Sequence, residues 1–195
     1  MKWLYLVIAA SLTTGGVLAQ DVDLFQGTIG GQAACELTID QATDLLGRPD
    51  VVEEAPFEDL AAIIGPKLYY QDEGIVLSFR GPRIDPNERM GTAAFYLTEA
   101  MEETTLLQPF TGKLTPSVNP DMKVDDTEAV VRESGFYSAT VSPEETQAAV
   151  EEAIGEPGEG PYYWRVEAMN GAIASNYLHE DVTQFLESVN FICEE

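Results

Sequence analysis

The chain has few of the residues on which most enzymes and metal sites depend. Its 195 residues include one histidine, two cysteines and ten lysines plus arginines. A zinc site needs several histidine or cysteine ligands. Neither cysteine has a second cysteine or a histidine at ligand spacing, so zinc is excluded. A histidine mechanism would rest on His179 alone, and no Gly-x-Ser-x-Gly elbow accompanies it. The sequence therefore predicts no catalytic residue.

The chain also lacks a hydrophobic run long enough to span a bilayer, which takes about 20 residues. Residues 3–12 are almost wholly apolar; they follow a lysine and precede a stretch of small residues that ends at Ala19. A basic start, a short apolar run and small residues at Val17 and Ala19 are typical of a cleaved secretion signal. We predict a signal peptide at residues 1–19, with cleavage after Gln20 as the alternative. The mature chain is then periplasmic or extracellular, with no membrane span.

Positive charge is scarce beside negative charge. The chain has ten basic residues and 34 aspartates and glutamates, which gives a net charge of −24. Cleavage of the predicted signal removes Lys2 and makes the net charge −25. This charge repels phosphates and anionic lipids, so nucleic acid and lipid surfaces are excluded as direct partners. Two interpretations remain. The acidic surface keeps a secreted protein soluble, or it attracts a basic protein partner.

The two cysteines, Cys35 and Cys193, stand near the two ends of the predicted mature chain. In an oxidising compartment two cysteines usually pair, so we predict a disulfide between them. The bridge would close a loop of nearly the whole domain. The chain-entropy model gives such a bridge about 4–5 kcal/mol of stabilisation.

Helix starts are the clearest local signals. Thr38 with Gln41, and Ser142 with Glu145, have the spacing of a capping box, in which each side chain of the pair bonds the other residue's backbone. Glycine followed by proline ends each of these helices. Other helices are predicted at residues 57–64, 125–133 and 182–189.

Strand signals alternate with the helices. Turn-forming residues at 72–74 and 170–171 predict two hairpins. Strands are predicted at residues 67–71, 75–80, 92–98, 136–141, 162–168 and 172–178. Residues 81–90 read as a polar connection. The whole pattern predicts an α+β fold of antiparallel hairpins with helices packed on one face.

One order of elements occurs twice: a capped helix, Gly-x-Pro, an aromatic strand and a hairpin. We therefore divide the mature chain into two α+β halves, residues 20–107 and 108–195, joined through the Pro-, Thr- and Gly-rich stretch 108–119. Residues 25–29 and 110–114 are candidate entry strands of the two halves. The alternative is one joint domain, because Gly-x-Pro is a common way for a helix to end.

The motif Leu46-Gly47-Arg48-Pro49, followed by an aromatic strand, resembles two groups of bacterial proteins. One is the outer-membrane assembly lipoprotein type of small envelope domain, and the other is the tandem-domain immunity proteins of toxin systems. Both are non-catalytic interaction modules, so the resemblance implies protein binding. The chain departs from the first by lacking a cysteine at the predicted cleavage site. It departs from cytoplasmic immunity proteins by its export signal.

Aromatic residues on the predicted strands are candidates for a binding face. Tyr69 and Tyr70 are adjacent in one strand, and Tyr162 and Trp164 are separated by one tyrosine in another. Successive residues of a strand point to opposite faces, so one tyrosine of the first pair should face outward. Tyrosine and tryptophan are common anchors of interfaces. Packing between strands is the alternative role.

A calcium site is the most reasonable metal hypothesis. Asn119, Asp121, Asp125 and Asp126 place four oxygen ligands within eight residues, and calcium takes 6–8 such oxygens. The EF-hand order and its central glycine are missing. Helix capping by Asp125 is the alternative explanation.

We therefore expect a secreted or periplasmic, non-enzymatic protein-binding module, of an inhibitor or immunity-like kind. One alternative is a secreted hydrolase that uses acidic residues, which would need a carboxyl group with a raised pKa. Another is an acidic surface protein that depends on calcium. No cofactor other than calcium is expected.

Overall fold

A computed structural model of the chain describes residues 21–54, 65–81, 83–102, 104–133, 138–155, 164–168, 172–178 and 184–193. Several predictions lie outside these residues: the signal peptide, the helix at 57–64, the turn at 170–171, Tyr162 and His179. In the described residues the fold is α+β with antiparallel hairpins, as predicted.

The strands and helices follow one another along the whole described chain. The strands are β1 (Asp21–Asp23), β2 (Thr28–Ile29), β3 (Gln32–Ala33), β4 (Val51–Glu53), β5 (Lys67–Tyr70), β6 (Ile75–Phe79), β7 (Met90–Tyr96), β8 (Ala100–Glu102), β9 (Thr105–Leu107), β10 (Lys113–Thr115), β11 (Ser138–Val141), β12 (Trp164–Ala168), β13 (Ala172–Leu178) and β14 (Gln184–Ile192). The helices are α1 (Ile39–Leu46), α2 (Val124–Glu133) and α3 (Pro143–Ile154), with a 3-10 turn at Ala34–Glu36.

Eight strands form one antiparallel sheet in the order β11-β12-β13-β14-β7-β6-β5-β4. It consists of two meanders, β4 to β7 and β11 to β14, which meet at their last strands. There Val189 lies opposite Phe95, and Phe191 opposite Ala93. The two meanders thus have the same chain order, and each follows a helix, α1 or α2. Whether they arose by duplication stays a prediction.

The helices that end in Gly-x-Pro occupy different places in this order. α1 precedes β4, whereas α3 lies between β11 and β12. The strand order therefore aligns α1 with α2 rather than with α3. Both predicted capping boxes are present: Gln41 N–H donates to Thr38 Oγ1 at 3.3 Å, and Glu145 N–H donates to Ser142 Oγ at 3.2 Å.

The predicted helix at residues 182–189 is wrong. Residues 184–192 form β14, which pairs with β7 on one side and β13 on the other. The apolar residues Phe185, Leu186 and Val189 match helical spacing. They also suit a central strand, where two neighbours satisfy the backbone and tertiary packing decides the outcome.

A smaller sheet, β10-β1-β2-β3, connects the two predicted halves. β1 pairs in parallel with β10, so that Val22 lies opposite Leu114. The stretch predicted to link the halves thus contains a paired strand. The eight-stranded sheet also crosses the predicted boundary, so the described residues of both halves share sheets.

Most buried apolar side chains lie on one face of the large sheet. Ile39, Ala42 and Leu46 of α1 pack there with residues of β5, β6, β7 and β14. Phe95 is at the centre, with the rings of Phe110 and Phe191 edge-on at centroid distances of 5.2 and 6.4 Å.

The predicted disulfide is confirmed. The sulfurs of Cys35 and Cys193 are 2.08 Å apart, and the bond joins the 3-10 turn to the residue after β14. Within the described residues, no helix is long and apolar enough to cross a membrane.

Candidate functional site

A short hairpin, β8–β9, lies on the face of the sheet opposite the main core. It follows β7 directly, and its last residue, Leu107, is fully buried against Tyr69 and Val76. Side chains alternate across a strand, so neighbouring hairpin residues point away from the sheet. The hairpin therefore has an inner surface packed on the sheet and an outer surface in solvent.

Met101 and Leu106 form the outer surface. Met101 is 64% exposed and Leu106 is 41% exposed, and the two residues lie directly opposite each other in the ladder. Side chains in that position have Cβ atoms about 5 Å apart, close enough to act as one patch. Other exposed large apolar residues among those described, Val52, Ile84 and Ile192, stand on different elements.

A polar network fixes the hairpin from below. The Glu102 carboxylate accepts a hydrogen bond from the Tyr96 hydroxyl and forms an ion pair with Lys67, with Nζ to Oε1 at 3.1 Å. Lys67 and Glu102 are only 18% and 23% exposed in their side chains. A charged pair shielded to this degree is screened less by salt than a surface pair.

The neighbouring turn of β5 and β6 adds two hydrogen bonds to the hairpin and the residue that follows it. Gln71 Nε2 donates to the Leu106 carbonyl oxygen at 3.2 Å, and Gln108 N–H donates to the Gln71 carbonyl oxygen at 2.8 Å. Gly74 in that turn has φ +65°, and a Cβ there would collide with the backbone of residues 108–110. A glycine is therefore required for the chain to pass so closely.

Burial shifts the titration of groups beneath the hairpin. It raises the pKa of Tyr96, as does the nearby Glu102 carboxylate, so this hydroxyl stays protonated and remains a donor. Burial likewise raises the pKa of Glu187, and the Glu102 charge adds to that effect. Tyr69 donates from its hydroxyl to Glu53 Oε2 at 2.7 Å, and burial raises its pKa also.

Two exposed acidic residues belong to segments next to the hairpin. Glu99 immediately precedes β8 and is exposed, and Asp72 is exposed beside Gln71, the residue that bonds Leu106. Glu73 in the same turn is half-buried, and this burial raises its pKa. The surface thus combines an apolar pair with exposed acids on the neighbouring segments.

Tyr69 and Tyr70, two of the predicted binding residues, are not at the surface. Tyr69 and Tyr70 belong to clusters on opposite faces of the sheet, as alternation predicts, but each is 1% exposed. The expectation that one of them faces solvent is wrong, because hairpin β8–β9 covers the second face over Tyr69. The backbone of Trp164 begins β12, opposite Asn176.

Two of the four residues proposed for calcium, Asn119 and Asp126, accept local hydrogen bonds in their side chains. Asn119 Oδ1 accepts from Asp121 N–H at 3.0 Å, and Asp126 Oδ2 accepts from Lys123 N–H at 3.3 Å, at the start of α2. In the part of the chain that the structure describes, no group of three or more His, Cys, Asp or Glu residues is placed to hold a metal.

A cavity of about 320 Å³ lies elsewhere, around the disulfide. Its lining contains one carboxylate, Glu88, together with Arg80 and Arg89. Glu187, whose pKa is raised by burial and by the nearby Glu102 charge, is not among the residues that line this cavity. The arrangement that a two-carboxylate hydrolase needs is therefore not assembled in this cavity.

No protein-family model, curated protein or solved structure matches the chain. The resemblance to envelope and immunity modules stays a prediction. The hairpin could not be predicted from the sequence, because each of its strands has only three residues, too few to show a clear alternation.

Proposed function

We propose that the protein is a secreted or periplasmic, non-enzymatic module that binds a basic protein through the outer surface of hairpin β8–β9. One observation carries the proposal: Met101 and Leu106, both exposed, lie side by side on a hairpin that is fixed to the sheet below. A pre-ordered element loses little conformational freedom when a partner binds.

The apolar pair supplies the attractive surface. Complete burial of one such side chain contributes about 1.5–3 kcal/mol, so the pair has the scale of an interface hot spot. A hot spot normally lies inside a polar rim that excludes water. Glu99 and Asp72 are exposed acids next to the hairpin and to the turn that it contacts, and they are suited to such a rim.

The charge of the whole chain selects the class of partner. A net charge of −24 attracts basic proteins at long range and repels acidic ones. Such steering raises the association rate more than it lowers the dissociation rate. The specific contact is therefore assigned to Met101 and Leu106, and the choice of a basic partner to the surrounding charge.

Export of the protein is supported by its disulfide. Such bonds persist in oxidising compartments and are rare in the cytosol. Together with the predicted signal at residues 1–19, this supports a place outside the cytoplasm. The inhibitor or immunity-like role is what the resemblance implies for a module of this kind.

The test is affinity capture followed by measurement of the purified pair. The oxidised protein is immobilised, envelope and medium fractions of the producing cell are passed over it, and bound proteins are eluted with increasing salt. We expect one basic partner in stoichiometric amount. The double variant Met101→Thr, Leu106→Thr should weaken its Kd by about 100-fold, as expected for the loss of roughly 3 kcal/mol.

Val52→Thr is the matched control. Val52 is a strand residue with 46% exposure on β4, so this variant also removes an exposed apolar side chain. It should bind as tightly as the unchanged protein. A partner that binds the double variant normally, or only a mixture of basic proteins that leaves at low salt, would contradict the proposal.

A further inference from the structure

The two ends of the Cys35–Cys193 disulfide differ in exposure. Cys35 is exposed to solvent, whereas Cys193 is only 7% exposed. Both cysteines line the cavity of about 320 Å³ described above. A disulfide that solvent can reach is open to attack by thiols, because the attacking sulfur must touch one of the two bonded sulfurs. Cys35 is therefore the accessible end of the bond.

Strand β7 holds the two cysteine segments independently of the bond between them. Met90 N–H donates to the carbonyl oxygen of Leu37, two residues after Cys35, at 2.9 Å. The carbonyl oxygen of Gly91, the next residue of β7, accepts from the Cys193 N–H at 2.8 Å. Both segments are thus anchored to adjacent residues of one strand, and that strand sets their separation.

The turn that contains Cys35 has further support of its own. Ala34 and Leu37, on either side of Cys35, are 0% and 2% exposed and belong to the main core. The Ala34 N–H also donates to the Gly27 carbonyl oxygen at 2.8 Å. These contacts need no bond between the sulfurs, so they remain when that bond opens.

The backbone of Cys193 is held from two directions. Its N–H bonds Gly91, and its carbonyl oxygen accepts a hydrogen bond from the Arg80 guanidinium. The Cα atoms of the two cysteines are 5.3 Å apart, a separation at which a disulfide forms without movement of the backbone. Two thiols held at this separation react with each other at a high effective concentration.

We propose that this bond is a reversible site of thiol exchange, opened at Cys35 by a small thiol and closed again without unfolding of the protein. The proposal does not rest on the binding of a partner by hairpin β8–β9. The cavity beside the bond, about 320 Å³, is at the lower end of the range for small-molecule sites, so a thiol of low molecular weight is the co-reactant. The protein then has two covalent states, and their ratio follows the thiol and disulfide content of its surroundings.

The exchange takes place in two steps. The thiolate of the small molecule attacks the Cys35 sulfur and forms a mixed disulfide with it, while the bond to Cys193 breaks and the Cys193 sulfur leaves as a thiolate with the electron pair. A second small thiolate attacks the outer sulfur of the mixed disulfide, which releases the Cys35 thiolate and a small-molecule disulfide. Two small thiols are oxidised, and the protein disulfide takes up their two electrons. The small-molecule disulfide reverses both steps.

Opening is tested with the free amino acid cysteine as the probe, added to the oxidised, folded protein. The reaction is stopped with acid, and peptide mass spectrometry locates the adduct. We expect the first adduct on Cys35, with a free thiol at Cys193. Its rate should lie within about 100-fold of the rate for urea-unfolded protein, whereas opening through global unfolding would be slower by about 10³-fold or more. A slower rate than this 100-fold limit, or a first adduct on Cys193, would overturn the proposal.

Closure is tested with cystine, the disulfide of the same probe, added to the reduced, folded protein. We expect the Cys35–Cys193 bond to form again, with the mixed disulfide as a minor product. Leu37→Ala loosens the turn that contains Cys35, so the ratio of mixed disulfide to closed bond should rise by about tenfold. Leu46→Ala is the matched control, because it truncates an equally buried leucine of α1, and it should leave this ratio unchanged. A mixed disulfide that persists in the unchanged protein, or an equal effect of the two variants, would overturn the proposal.

Discussion

The two ends of strand β7 are held in place by different kinds of interaction. At the Tyr96 end, hairpin β8–β9 is fixed by hydrogen bonds and one ion pair centred on Glu102. At the Met90 end, the cavity walls are joined covalently by the Cys35–Cys193 bond. One end is acidic with an apolar patch in solvent, and the other contains two arginines around a partly apolar cavity.

This difference shows that one sheet can be held by a covalent bond at one end and by polar contacts at the other. A surface that binds a protein can adjust its side chains when the partner arrives. The weaker, polar fixation of the hairpin is consistent with such adjustment, and four predictions test the comparison.

Loss of the disulfide should have the largest effect. The bond joins residues 158 positions apart, and the chain-entropy model gives a closed loop of that size about 5 kcal/mol of stabilisation. Cys35→Ser with Cys193→Ser should lower the free energy of unfolding by about that amount in urea titrations. Partner binding by the hairpin should persist at temperatures where the variant stays folded. Loss of partner binding in the folded variant would contradict the separation of the two ends.

Removal of the Tyr96 hydroxyl should have the next largest effect. Tyr96→Phe leaves Glu102 without one charge-assisted hydrogen bond, which contributes about 1.5–3 kcal/mol. Hydrogen exchange of the amides in residues 100–107 should become faster. Tyr69→Phe is the control, because the hydroxyl that it removes bonds Glu53 on β4 and no described residue of the hairpin. Equal acceleration in both variants would show that the network is not specific to the hairpin.

The pH dependence of stability gives a smaller effect at the same end. The pKa of Glu187 is raised in the folded state by burial and by Glu102, so the unfolded chain releases this proton first. The free energy of unfolding therefore decreases as pH rises through that raised pKa. Glu187→Gln should remove this decrease: the variant should be more stable than the unchanged protein at pH 7 and equally stable at acidic pH. Urea titrations at both pH values measure this free energy of unfolding. Glu99→Gln, at an exposed position, should leave it unchanged at either pH.

The smallest expected effect is on stability at the proposed contact itself. Met101→Thr with Leu106→Thr should change the free energy of unfolding by no more than about 0.5 kcal/mol, because both side chains are exposed. Leu107→Ala, one residue away on the buried side of the same hairpin, should cost about 2–5 kcal/mol. Thermal unfolding of the double variant and of Leu107→Ala measures this difference in stability. A large loss in the first variant would mean that the patch is structural.

The parts of the fold that local chemistry controls could be predicted from the sequence. Thr38 with Gln41 and Ser142 with Glu145 start helices wherever they occur, since the bonds that they make lie within four residues. The disulfide was predictable because only one pairing exists for two cysteines. The prediction of a helix at residues 182–189 was wrong. Residues 184–192 form β14 through pairing with β7 and β13, and pairing with a distant strand such as β7 leaves no local pattern in the sequence.

Neither the hairpin surface nor the cavity beside the disulfide could be predicted from the sequence. The arginine cavity combines residues 35, 80, 89 and 193, which no local pattern connects. The roles of Tyr69 and Met101 depend on one fact, that the hairpin folds over the sheet and buries the tyrosine while it exposes the methionine. Amphipathic spacing gives the direction of a side chain but does not say which surface another segment covers.

Site-specific photocrosslinking tests the central claim most directly. A photoreactive amino acid replaces Met101 in one protein and Val52 in another, and each oxidised protein is irradiated in the fractions that contain the partner. We predict one protein adduct in high yield from position 101 and none from position 52. The same adduct from both positions, or an adduct from position 52 alone, would contradict the assignment of the hairpin as the surface that binds the partner.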